Sequence, residues 1–138
     1  MPKMIFLNLP VRDLPASTRF YEAIGFTRNP QFSNEQASCM VWSDEIYFML
    51  LVPDFYATFT SKPIADAHAT SPHLIALSFD SRAEVDAIVA KASEAGGKGD
   101  FRPPQELGFM YGRTFEDPDG NGFEPFWMDP AAASGGAG

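Results

Sequence analysis

The chain holds one cysteine, Cys39, so no disulfide can close within it. It is short of positive charge, with ten Lys and Arg against eighteen Asp and Glu and a formal net charge of −8. Nucleic acids and acidic membrane surfaces draw their partners largely through Lys and Arg, so neither is expected here. Histidine is scarce: His68 and His73 are the only two. No charged-then-apolar leader and no membrane-length apolar run stands at the start, and the expectation is a cytoplasmic protein with no membrane partner. Aromatic surface is plentiful by contrast. Thirteen Phe, four Tyr and two Trp can fill a core, line a pocket or cover a subunit interface. With 138 residues, 45% of them hydrophobic, the chain is expected to form one domain.

Met4 to Leu9 is an apolar run closed by Pro10, and Asp13-Leu14-Pro15 then reads as a helix cap followed by a first-turn proline. Leu14, Phe20, Tyr21 and Ile24 fall near one face at helical spacing, and Gly25 stops the helix. Strands are expected over Phe26 to Phe32, interrupted by Pro30, then over Gln36 to Trp42 and Glu45 to Val52. Residues 53–72 read as a long connection with a helical turn near Asp54 to Phe59. Leu74 to Phe79 is the next strand. Ser81 and Glu84 then form a capping box, Val85, Ile88, Val89 and Ala92 recur at helical spacing, and Gly96-Gly97 ends the helix. A short extended piece near Lys98 to Phe101, a Pro103-Pro104 connection and a strand from Phe109 to Phe115 follow. Ala131 to Gly138 reads as a frayed tail.

The stretch TFEDPDGNGFEPFWM, Thr114 to Met128, carries the chemistry. Asp119-Gly120 is a type I′ hairpin signal, since both central positions of that turn need positive φ. Past the turn, alternation puts Glu124, Phe126 and Met128 on one face. A Glu among aromatics is a metal ligand, a general base, a ligand-binding group or a rim residue, and the pattern leaves these open. On the entering strand Phe109, Tyr111 and Arg113 alternate with Met110, Gly112 and Thr114, and pattern does not say which set faces Glu124. With Tyr111 and Arg113 inward, Arg113 could pair with Glu124 or hold an anionic group; otherwise it is a solvated arginine.

An offset of 68 lays Leu9, Pro10 and Val11 on Leu77, Ser78 and Phe79, and Asp13 on the cap Ser81. Each half reads β-α-β-β-β, an internal repeat that predicts a cavity between modules. This doubled pattern, with NLPVRDLPASTRFYEAIGF near the start and EDPDGNGFE near the end, resembles the vicinal oxygen chelate superfamily of glyoxalases, extradiol dioxygenases and bleomycin and fosfomycin resistance proteins. MVWSDEIYFMLL, GFMYGRTFEDPDG and FWMD are similar to a bacterial group labelled predicted lactoylglutathione lyases. The resemblance implies an α+β fold of two tandem βαβββ modules, about residues 4–52 and 73–128, in a single domain over 1–130. These would form a curved mixed sheet around a central cavity, with homodimers usual.

The resemblance also implies a metal held by one residue from each of four strands, which here fall on Phe6, Met49, Leu74 and Glu124. Phe and Leu offer no lone pair and a Met thioether suits soft copper, so a divalent metal is disfavoured and no cofactor is expected. His73 should point away from Leu74's face, His68 sits in the polar connection, and Cys39 reads as a buried inert thiol. Asn8 shares the face of Phe6; Tyr47 and Leu51 share that of Met49. With Leu74, Tyr111, Arg113 and Phe126 these residues describe an apolar cup with a few polar groups, the makeup of a small-molecule site. The expected function is binding of a small organic molecule without a metal, as in bleomycin resistance proteins; acidity and aromatics suit a cationic, partly planar ligand. The alternative is a lactoylglutathione lyase-like lyase or isomerase with Glu124 as general base. Extradiol cleavage and metal-dependent fosfomycin opening lack their ligands.

Overall fold

The computed structural model describes residues 2–132 and resolves the chain into two compact units, Met1–Asp66 and Ala67–Gly138. The fold is mixed α+β, as the repeat predicts. The expected tail falls mostly outside the described residues, and its first two, Ala131 and Ala132, continue a helical turn from Pro130. No helix among the described residues is long and apolar enough to cross a membrane.

The first unit contains β1 (Ile5–Pro10), α1 (Leu14–Ala23), β2 (Thr27–Asn29), β3 (Ala37–Val41), β4 (Ile46–Leu51) and the short α2 (Pro53–Tyr56). Its sheet runs β1-β4-β3-β2, with β1 and β4 parallel and the other pairs antiparallel. Asp13 caps α1 by accepting from the amide of Ala16, and Gly25 takes φ +118° just past the end, as the sequence signals require. The expected strand over Phe26 to Phe32 is shorter. After Asn29 the chain turns into a 3₁₀ helix, Pro30–Phe32, because Asn29 accepts from the amide of Gln31 and proline opens the turn. Phe20, Tyr21, Phe26 and Phe48 fill the space between α1 and the sheet through edge and tilted ring contacts. Cys39 lies in this sheet, and burial pushes its thiol pKa up, which makes it a poor nucleophile.

The second unit repeats the plan. It contains β5 (Leu74–Phe79), α3 (Arg82–Glu94), β6 (Lys98–Gly99), β7 (Gln105–Glu106), β8 (Met110–Gly112), β9 (Phe115–Glu116) and β10 (Gly122–Met128). Strand β10 is central, parallel to β5 on one side and antiparallel to β8 and β9 on the other. Ser81 caps α3 by accepting from the amide of Glu84, and Val85, Ile88, Val89 and Ala92 are the buried residues of that helix.

The expected strand Phe109 to Phe115 is divided into β8 and β9, although one register runs through both: Gly112 faces Phe126, and Phe115 faces Phe123. Pro125 is the cause. The amide of Arg113 donates to the Pro125 carbonyl at 3.1 Å, but proline has no N–H to return the bond, and the ladder lapses. The hairpin turn is not type I′, because among the described residues Asp100 alone has positive φ without being glycine, so Asp119 does not adopt it. Pro118 fixes a negative φ and moves the turn to Asp117-Pro118-Asp119-Gly120, closed by the Gly120 amide donating to the Asp117 carbonyl. Gly120 alone takes the left-handed conformation, at φ +91°. The Asp117 carboxylate, 2% exposed, accepts from the amides of Asp119 and Asn121 and from the Asn121 side chain. The turn is thus tied down from inside, and it fixes where β10 begins.

Candidate functional site

In the second unit, α3 packs against one face of the sheet and leaves the other face open. Alternation along β10 directs Gly122, Glu124 and Phe126 to that open face. The parallel register sets Ala76 beside Glu124 and Leu74 beside Gly122. Leu74 is 51% exposed. Through the register with β8 and β9, Met110, Gly112 and Glu116 share this face too.

Glu124 is 26% exposed at its side chain and carries the main polar contact of the face, an ion pair of 2.7 Å with Nη1 of Arg102. Arg102 arrives from the Phe101-Arg102-Pro103-Pro104 connection, and its amide donates to Oγ1 of the buried Thr114. Its Nε is enclosed and has no hydrogen-bond partner among the described residues. Sequence reasoning missed Arg102: it belongs to no strand or helix, and periodicity has no purchase on a proline-rich connection.

Tyr111 and Arg113 do not join Glu124, and the expectation that they line the same cup is corrected. Tyr111 faces Trp127 across the ladder, so both project to the side covered by α3. The Tyr111 hydroxyl donates to Asp86 at 2.6 Å, and Arg113 pairs with Asp86 at 2.9 Å and Asp100 at 2.6 Å. Arg82 lies over the rings of Tyr111 and Trp127, pairs with Glu106 and donates to the Gly108 carbonyl. These contacts fasten the sheet to α3. The Tyr111 hydroxyl, and then Arg113, hold the Asp86 carboxyl below its ordinary range, while Asp86 pushes the Tyr111 phenol up.

A carboxyl with a depressed folded pKa contributes stability that is present above its unfolded pKa and is lost as pH falls through the folded one. Asp86 should therefore cost the protein stability below about pH 4. Asp86→Asn is expected to flatten that part of the acid limb in urea melts, by about 1 kcal/mol or less for so exposed a group. An unchanged acid limb would remove Asp86 from the account.

In the first unit, Phe6 and Tyr47 are register partners on β1 and β4, and their rings stack at 4.6 Å and 9°. Phe6 is 52% exposed. The next pair on the same face is Asn8 and Met49. Asn8 is exposed, and its amide makes no hydrogen bond among the described residues, so it does not serve the backbone. Leu51, expected beside Met49, is buried at 2% exposure. This face of the first sheet is an aromatic platform with one unspent amide.

The four positions that the resemblance assigns to a metal offer a poor donor set. Of Phe6, Met49, Leu74 and Glu124, only Glu124 brings an oxygen, and Arg102 already engages it. Among the described residues no three His, Cys, Asp or Glu side chains come together to hold an ion. His68 does not reach such a site; its Nε2 lies 3.1 Å from the Pro118 carbonyl. His73 precedes β5 with Nε2 enclosed and unpartnered, a lone imidazole without companion ligands. The residues present do not fit a catalytic divalent metal.

Comparison with known proteins identifies the family and the fold. The family model described as Glyoxalase/Bleomycin resistance protein/Dioxygenase superfamily matches residues 3–124. Curated proteins give no match. Among solved structures, hypothetical protein SA1046 from S. aureus superposes with TM-score 0.77 at 26% identity, over 93% of this chain and 95% of that one. A glyoxalase/bleomycin resistance protein/dioxygenase family enzyme from Burkholderia phytofirmans PsJN gives 0.74 at 19%, over 92% and 99%. TnmS3, an antibiotic binding protein from Streptomyces sp. CB03234, gives 0.64 at 20%, over 93% and 97%.

Proposed function

This chain belongs to the Glyoxalase/Bleomycin resistance protein/Dioxygenase superfamily, and from that premise we propose that it binds a small organic molecule without a catalytic metal. The observation that carries the reading is the ion pair of Glu124 with Arg102. In a metal-using relative this carboxylate would be a ligand; here a guanidinium neutralises it, and its companion positions are apolar. The exposed Phe6–Tyr47 stack, with the Asn8 amide beside it, suits a planar ligand with a hydrogen-bonding edge. The antibiotic binding protein TnmS3 shares the fold, which supports binding as a use of it. In this reading the protein works in the cytoplasm as a homodimer, and the exposed Met4 and Ile5 offer apolar surface for pairing.

A second reading keeps an enzyme, a lactoylglutathione lyase-like lyase or isomerase with Glu124 as general base. It is favoured by the partial exposure of that carboxylate on an open face. The pair with Arg102 would have to open before Glu124 could take a proton. The two readings separate on Glu124→Gln, assayed against ligands found by a thermal-shift screen of planar organic molecules. Under the binding reading the variant still binds, with affinity changed about tenfold or less and EDTA without effect on either protein. Loss of a measured turnover by a factor of at least about a hundred, with the fold intact, would establish the base instead.

A further inference from the structure

Beside the Glu124 pair, the second unit contains a pocket of about 270 Å³ that shares Leu74 with the expected small-molecule cup, and a binding site there deepens that reading. The 67–72 loop forms one wall, and Leu74 and Phe101 form apolar walls. The floor is Gly122: a Cβ there would stand 2.9 Å from Leu74 Cδ2 and 3.3 Å from Phe101 Cζ, so only glycine leaves the pocket open without moving its walls. The loop passes close over Gly120, where a Cβ would meet backbone atoms of Ala67 and His68 at 2.8 Å. Thr70 and Ser71 also line it, with the Ser71 hydroxyl donating to the His73 carbonyl.

One charged group in the lining is unspent. Glu116 on β9 lies between Gly122 of β10 and Lys98 of β6 in the register and lines the pocket half-buried, yet its carboxylate makes no ion pair or hydrogen bond among the described residues, with Lys98 or any other. Three other carboxylates around this sheet are matched: Glu106 by Arg82, Asp100 by Arg113 and Glu124 by Arg102. A half-buried carboxylate in a pocket that an aromatic ring also lines is complementary to an ammonium or amidinium group, which can gain a charge-assisted hydrogen bond and a cation–π contact. The net charge of −8 draws such cations and repels organic acids.

We propose that the pocket between the 67–72 loop and β10 is a binding site for the cationic head of a small organic amine, with Glu116 as its counter-ion and Phe101 and Leu74 as its walls. The pocket lies on the same face of the sheet as Glu124, two residues along β10 from it, and its test does not involve that residue.

Benzylammonium is a suitable probe, with benzyl alcohol as its neutral counterpart, both followed by amide chemical shifts of the whole protein. Saturable shifts are expected for benzylammonium at residues of the 67–72 loop and at Phe101, Glu116 and Gly122. Affinity should fall at least about tenfold in Glu116→Gln, and benzyl alcohol should bind at least about tenfold more weakly than the amine. Glu35→Gln, which removes one charge from an exposed position in the first unit, should leave the binding unchanged. The proposal is overturned if benzylammonium gives no saturable shifts at these residues, if benzyl alcohol binds equally well, or if the two Gln variants weaken binding alike.

Discussion

Phe123→Ala is expected to lower the stability of the protein by about 3–5 kcal/mol, measured by urea denaturation. Phe123 has no exposed surface and stacks on Phe115 with ring centroids 4.8 Å apart and planes 2° from parallel. It also pairs with Ile75 of β5 and Phe115 of β9, so one ring spans the parallel and antiparallel edges of β10. Truncation removes that apolar surface from the interior and leaves a void bounded by ordered strands, which close only partly around it. Because Glu124 is the next residue, the same change should loosen the carboxylate relative to Arg102. A loss below about 1 kcal/mol would mean that the β10 core is plastic and does not hold the site.

Gly120→Ala should cost about 2–4 kcal/mol, from two sources that a control can separate. At φ +91° any side chain strains the backbone. The added Cβ would also lie 2.8 Å from the Ala67 carbonyl carbon and the His68 amide nitrogen, which cannot rotate aside as a side chain would. Gly96, at φ +108° after α3, has nothing within 4 Å of the place a methyl group would occupy. Gly96→Ala therefore carries the conformational cost alone, about 1 kcal/mol. Equal losses in the two variants would show that the 67–72 loop does not bear on the hairpin.

Helix boundaries were the most legible part of this chain, because caps are local chemistry. Asp13 and Ser81 both accept from amides three residues on, where their side-chain type and position require it. The repeat offset was legible for the same reason, since the caps occupy equivalent places. Strand details depended on partners that the sequence does not adjoin. Pro125 interrupts the ladder opposite Arg113, and only the register reveals that they face each other. That register also sent Tyr111 and Arg113 to the α3 side, a choice that period-two alternation leaves undecided.

At the candidate site, Glu124 was found from alternation after the turn, even though Pro118 makes the turn a different type from the one expected. Its partner was not found. Arg102 is brought to Glu124 by a connection whose path is fixed by Thr114 and two prolines, information that exists only once the chain is folded. The unspent Glu116 was hidden likewise: an alternating acidic residue in a strand says nothing of whether a cation meets it.

In the proposed function Glu124 is neutralised by Arg102 and serves a small-molecule site that uses no metal. Elemental analysis of the purified protein, repeated after incubation with zinc, nickel, manganese and iron(II) salts and desalting, tests it most directly. Far less than one ion per chain is expected under every condition, unchanged in Glu124→Gln. One tightly held transition-metal ion per chain, lost in that variant, would contradict it.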